Sequence, residues 1–346
     1  MFVLVVHGPE IFDSGEVAWL MQEIRPSLTV VAGVMARTAA EESGLPVEYD
    51  GAPPSRIIRA LGSPAVLANH AKTTESGRVF GNIIASRLEK KGLVQIECSD
   101  NTVIVWDAGD RRLASAISAA TGFPILFLSS LPDPQGDERR IRGCIPGEPV
   151  FVNGIIIGHA TGDTVVIRST SAGIEAVSGL IPKDHGLGKL AGTGRWDLAT
   201  AWCKSGPIRS ALPMKHYRES SHGIVVVIDH CGHETYARIT PDCCGVLSIG
   251  DDTTAVCGHI CAHRGIPVLG IVDGDRDTIL PSAFADESVV LEAQGERDDD
   301  LGMEVALMAG GGPVVWGDWV TSVLAALGSR VRIVVDLRRT PDAAVR

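Results

Sequence analysis

The feature that most constrains this chain is a repeated rhythm of short apolar runs, turns and amphipathic stretches. Residues 2–6 are an apolar, β-branched run ending in His7-Gly8-Pro9-Glu10. Asp13-Ser14-Gly15-Glu16 then offers cap residues for a helix with Val17, Leu20, Met21 and Ile24 on one face. The unit recurs as a strand at 28–32 with a helix at 36–43, a strand at 65–68 with a helix at 75–90, and a strand at 93–97 ahead of a helix near 111–121. Strands that alternate with helices require crossover connections, so the pattern predicts a largely parallel sheet.

Between Leu131 and Tyr217 glycine and turn residues take over. Asn153-Gly154 lies between two β-prone runs, a strong short hairpin signal. From Gly223 the crossover rhythm returns, with strands expected at 224–228, 246–249, 267–272, 288–292 and 331–335 and helices at 253–263, 301–309 and 320–327. A chain of 346 residues exceeds one ordinary core. The expected class is α/β: two parallel-sheet domains, 1–131 and 219–346, flanking a small β-rich module at 132–218. The polar stretch 132–137 marks the first boundary.

Composition excludes several functions. The formal charge is -11, and basic residues run no longer than pairs such as Arg139-Arg140. That leaves no footprint for duplex nucleic acid and no attraction to an anionic membrane. The apolar start stops at His7, too short for a signal peptide, and no run reaches the roughly 18 apolar residues of a membrane span. A cytoplasmic protein is expected, with homo-oligomerisation left open. Eight cysteines in so long a chain read as reduced thiols or metal ligands.

The sharpest chemical signal is Gly270-Ile-Val-Asp273-Gly-Asp275-Arg-Asp277. Alternation along an extended segment brings Asp273, Asp275 and Asp277 to one side at a strand's C-terminal end, where open α/β sheets bind ligands. Carboxylates this close repel unless a cation or proton intervenes, and hard oxygen donors suit magnesium or manganese. The plain alternative is a solvated acidic turn. A calcium-binding helix-loop-helix is excluded, because Thr278 replaces the required glycine and Phe284 the bidentate glutamate. Ser248-Ile-Gly250-Asp251-Asp252-Thr253-Thr254 sits between a strand and a helix, so Asp251 and Asp252 are candidate metal ligands and Thr253 and Thr254 candidate phosphate contacts.

At the other end, His7, Glu10, Asp13 and Ser14 follow one strand, and His70, Lys72, Thr73, Thr74 and Ser76 follow another. In a parallel sheet both loops reach the same edge. His7, Glu10, His70 and Lys72 are candidate catalytic groups, and Asp13, Ser14, Thr73, Thr74 and Ser76 candidate substrate contacts. The alternative is ordinary helix capping with a surface lysine. Cys257 and Cys261, like His259 and His263, share a helix face and could hold zinc or an iron–sulfur cluster; the competing reading is core packing. No dinucleotide glycine fingerprint follows the first strand and no nucleophile elbow occurs.

The Asp273-Gly-Asp275 turn resembles the Asp-x-Asp motif of the Toprim fold, which binds magnesium for phosphoryl transfer and adds a glutamate from an earlier strand; here Asp229, Glu234, Asp251 or Asp252 would stand in. Taken together, residues 7–16, 69–78, 95–99 and 250–254 with Asp273-Gly-Asp275 resemble an uncharacterised protein family of methanogenic archaea, over nearly the whole chain. That resemblance implies an archaeal cytoplasm. The residues themselves lead to an expected divalent-metal-dependent enzyme acting on a phosphorylated or nucleotide-like small molecule. A non-catalytic binding or assembly protein and a thiol-ligated metal protein are the alternatives.

Overall fold

In the computed structural model, the strands β1 (Val3–His7), β2 (Leu28–Ala32), β3 (Glu48–Asp50), β4 (Ala65–Asn69), β5 (Leu93–Glu97), β6 (Thr102–Trp106) and β7 (Ile125–Leu128) form one sheet. The structure describes the chain apart from residues 90, 132–136, 154, 172, 193–197, 199–200, 202, 219–220, 275–280 and 339–346. Strand order is β3-β2-β1-β4-β5-β6-β7. β5 and β6 are antiparallel, and the other neighbouring pairs run parallel. Leu4 and Val6 face one apolar cluster and Val3 and Val5 another, so both faces of the sheet are covered.

The helices divide between those faces. Besides the four-residue α1 (Glu10–Asp13), α2 (Glu16–Ile24), α3 (Val34–Ser43) and α6 (Arg111–Thr121) place Leu20, Ala39 and Ile117 on the first cluster. α4 (Pro54–Ala60) and α5 (Thr74–Arg87) place Ile57 and Ile84 on the second. The chain therefore leaves β1 for β2 on one face and returns to β4 on the other. Strand order reverses between β1 and β4, which makes their C-terminal ends the switch point where doubly wound sheets open a crevice.

β8 (Glu138–Arg142), β11 (Thr164–Thr170) and β12 (Gly173–Ser178) form a three-stranded antiparallel sheet. β9 (Pro149–Val152), β10 (Ile155–Ala160), β13 (Leu180–Pro182) and β14 (Cys203–Ser205) form a four-stranded one. Both sheets and α7 (Asp184–Gly192) bury side chains in one cluster that includes Val152, Ile157, Ile167 and Leu190. β9 and β10 pair antiparallel on either side of Asn153, whose φ of 52° is left-handed; Gly154 lies outside the described residues.

The chain divides into two compact units, Met1–Ala211 and Leu212–Arg346. In the second, β15 (His222–Asp229), β16 (Cys243–Ile249), β17 (Val268–Val272) and β18 (Val289–Ala293) run parallel in sequential order. β19 (Val314–Val315) and β20 (Val331–Asp336) add antiparallel edges beside β15 and β18. The short α8 (Thr235–Arg238) precedes α9 (Asp251–Arg264), which is buried along almost its whole length. α10 (Asp298–Met308) and α11 (Trp316–Leu327) pack Leu301, Val305, Trp316 and Trp319 on a second cluster. Among the described residues no helix is long and apolar enough to cross a membrane.

Candidate functional site

The C-terminal edge of the second unit's sheet gathers acidic side chains from successive strands. β15 ends in Asp229-His230, β16 in Gly250-Asp251-Asp252 and β17 in Val272-Asp273. Gly250 N–H donates to the Ile271 carbonyl at 2.9 Å, so the turns after β16 and β17 lie side by side. Gly250 has φ 97°, and a β-carbon there would stand 2.7 Å from His230 Nε2. The glycine thus leaves the space in which the imidazole sits.

Two donor groups follow. His230 Nδ1 lies 2.5 Å from Asp229 Oδ1 and its Nε2 3.7 Å from Asp299 Oδ1. Asp229, His230 and Asp299 each present a ligand atom within 4.8 Å of the others. Carboxylate oxygens of Asp273 and Asp298 are likewise within 4.8 Å, and Asp298, in the first turn of α10, is wholly buried. Carboxylates at that separation repel one another when both are ionised. A cation or a shared proton removes the penalty.

Asp252 is buried and Asp251 half-buried in the first turn of α9. Asp275 and Asp277 lie outside the described residues. Thr254 packs inward: its Oγ1 is 2.9 Å from Ser248 Oγ, and its methyl group occupies the space that Gly270 leaves open. Thr253 is buried as well. The expected phosphate contacts from these two threonines therefore have core positions instead. The sequence offers His230 only as one of the soft metal ligands grouped with the cysteines, and it singles out neither Asp298 nor Asp299; their signal is the acidic triplet Asp298-Asp299-Asp300 just ahead of the helix expected at 301–309.

Six of the eight thiols are buried, and Cys203 and Cys231 are partly exposed. Cys243, Cys257 and Cys261 belong to an apolar cluster with Val246 and Phe284. Burial pushes Cys257 up to about 12 and Cys243 up to about 11, which favours the protonated thiol.

The first unit's switch point is built differently. His7 ends β1 and pairs in register with Asn69 at the end of β4. Its Nδ1–H donates to the Ala32 carbonyl at 3.0 Å, and its ring stacks on Phe80 with centroids 4.9 Å apart. Burial holds its pKa below the ordinary histidine value, so the ring is neutral and Nε2 carries the lone pair. His70 Nδ1 lies 2.8 Å from Glu16 Oε2, which also accepts from Ser14 Oγ at 2.8 Å. Burial raises the Glu10 carboxyl, an effect that nearby Asp13 reinforces and Lys204 and His70 oppose.

Behind that loop runs a buried polar chain. Trp106 Nε1 donates to Gln95 Oε1 at 2.8 Å, and Gln95 Nε2 donates to Asn69 Oδ1 at 2.9 Å and to the Gly77 carbonyl at 3.1 Å. Asn69 in turn donates to the wholly buried Glu97 carboxylate. Glu97 also accepts from Ala71 N at 3.0 Å, Ser99 N at 3.1 Å and Ser99 Oγ at 2.7 Å. Burial raises its pKa in spite of these donors. The network fixes the loop that carries His70.

Several expected ligand contacts in this loop have other partners. Lys72 Nζ donates to Glu148 Oε2 at 2.6 Å and to Ser205 Oγ at 3.0 Å. Thr73 and Ser76 cap α5: Ser76 N donates to Thr73 Oγ1 at 3.1 Å and Thr73 N to Ser76 Oγ at 3.0 Å. Thr74 is the first residue of that helix. Asp13 and Glu42 hold Arg209, which is 2% exposed; Nε donates to Asp13 at 2.9 Å and Nη2 to Glu42 at 2.6 Å. Burial works against that guanidinium, but the two carboxylates outweigh it and keep it charged.

The profile of a family described as uncharacterized proteins conserved in archaea (DUF2117) matches residues 4–309. An uncharacterized protein of Methanocaldococcus jannaschii is 30% identical over 324 residues, covering 86% of this chain and 88% of that protein.

Proposed function

The chain belongs to this archaeal family, and from that premise and the strand-end carboxylates we propose a divalent-metal-dependent enzyme of the cytoplasm that acts on a phosphorylated or nucleotide-like small molecule. The observation that carries the reading is the approach of Asp273 to the wholly buried Asp298 at the C-terminal edge of a parallel sheet. A magnesium or manganese ion held there by oxygen donors offsets their repulsion. It would also bind phosphate oxygens and draw off the charge that develops when a phosphoryl group transfers. Asp251 and Asp252, on the adjacent turn, are the candidates for further oxygen donors, and the Asp-x-Asp likeness of the sequence at 273–275 fits the same chemistry.

The test is isothermal titration of magnesium and manganese into the whole chain and into the Asp273→Asn/Asp298→Asn variant. The variant is expected to bind at least about tenfold more weakly, and inorganic phosphate to add heat only when the metal is present. Equal metal binding by both proteins removes the site and the proposal with it.

A further inference from the structure

The switch point of the first unit carries a second set of groups that the metal reading leaves unused. A carboxylate only accepts hydrogen bonds, so the contact with Glu16 places a proton of His70 on Nδ1, and in the neutral ring Nε2 carries the lone pair. His70 is 33% exposed on its side chain, which leaves the ring open to solvent. One strand over, His7 has the same tautomer, fixed by the Ala32 carbonyl. Glu10 opens the helix that follows β1, close enough to His70 and Lys204 for both to act on its charge.

We propose that this crevice is a catalytic site of its own, in which His70, oriented by Glu16, takes a proton from a hydroxyl or amine of the ligand while Glu10 gives one back at a second atom. One proton leaves the ligand for Nε2 and one leaves the Glu10 carboxyl for the ligand, so the ligand's charge is unchanged. The pair resets when the imidazolium returns its proton to the Glu10 carboxylate. Burial favours the protonated Glu10 that this exchange starts from. Glu16 acts through His70 as a positioning residue, and the Glu97 network keeps the His70 loop in place.

The balance of donors and acceptors sets the class of ligand. Lys72 is engaged by Glu148 and Ser205, Arg209 by Asp13 and Glu42, and the first turn of α5 by its own capping pair. Lys204 lies over the Phe151 ring and donates to the Pro207 carbonyl. What remains beside the solvent-exposed His70 ring is mostly acceptors: its own lone pair and the carboxyl groups of Glu10 and Glu16. The ligand must bring donors. The fit is to a neutral polyol or an amino alcohol, and a phosphate is disfavoured.

The test is run on the whole chain in EDTA, which separates it from the metal reading. Diethyl pyrocarbonate acylates unprotonated imidazole nitrogen, and peptide mass spectrometry reads each histidine. His70 is expected to react at least about tenfold faster than His233, which is 74% exposed and 3.9 Å from Glu234. Glu16→Gln should bring His70 down to the His233 rate, and Glu16→Asp should restore part of the difference. In the second arm, imidazole ¹⁵N spectra are recorded with ribose, ethanolamine or inorganic phosphate at equal concentration. Ribose or ethanolamine should shift the His7 and His70 signals and phosphate should not. A His70 no faster than His233 in the unaltered chain overturns the catalytic assignment; shifts from phosphate alone, or from none of the three probes, overturn the ligand class.

Discussion

Gly77 and Gly81 sit one turn apart on α5 with no room for a β-carbon. A carbon added at Gly77 would stand 2.1 Å from Glu97 Oε2, and one at Gly81 1.8 Å from Gln95 Oε1. Both neighbours are buried and tied by hydrogen bonds, so neither can yield cheaply. Gly77→Ala and Gly81→Ala are each expected to cost about 1–3 kcal/mol, against the gain that alanine normally brings inside a helix. Gly317→Ala in α11, where nothing lies within 4 Å, should instead add about 0.4–1 kcal/mol. Calorimetric melting of the three variants reads the signs directly, and a rise in Tm for all three would mean that the buried network does not form. In the sequence Gln95 and Glu97 stand out as polar residues in a strand that should be apolar. The glycines that make room for them lie 20 and 14 residues earlier and carry no mark of that role, which only the packing of α5 on β5 reveals.

At the level of elements, periodicity recovered what repeats and lost what interrupts. β2, β5 and α6 fall where the apolar pattern puts them, at Leu28–Ala32, Leu93–Glu97 and Arg111–Thr121. β6 was missed because a single tight turn at Cys98–Asp100 returns the chain antiparallel to β5, which breaks the crossover rhythm. The direction of β20 was equally hidden, since a short apolar run does not say which way it pairs. α5 shows how one motif supports two readings. Lys72-Thr73-Thr74 with Ser76 looks like an anion cradle in one dimension, whereas in three the hydroxyls close on the helix's own first turn. Thr73→Ala should therefore cost about 1 kcal/mol of stability, as the loss of a cap does, and leave the response of residues 72–76 to inorganic phosphate unchanged at none. Amide shift titration of both proteins checks this, and a phosphate shift at Ser76 in the unaltered chain that vanishes in the variant would restore the cradle.

The residues proposed for each site come from one unit. His7, Glu10, Glu16 and His70 lie in Met1–Ala211, and Asp229, His230, Asp273, Asp298 and Asp299 in Leu212–Arg346. Each unit also has its own apolar clusters, with Leu4 and Val3 in those of the first and Leu247 and Val246 in those of the second. A domain with its own core can fold alone, and a site whose ligands all come from that domain survives separation. The sequence made the two sheet edges legible because crossover topology sends strand ends to one side. It could not show that the buried partner of Asp273 is Asp298, because that contact depends on how α10 enters the sheet after β18. Residues 1–211 and 212–346 made as separate chains should each melt cooperatively. The second should bind manganese as tightly as the whole chain, and the first should keep the fast acylation of His70. A folded 212–346 that no longer binds manganese would mean that the metal reading needs a donor from the first unit. An unfolded one would mean that the clusters around Leu247 and Val246 do not suffice as a core.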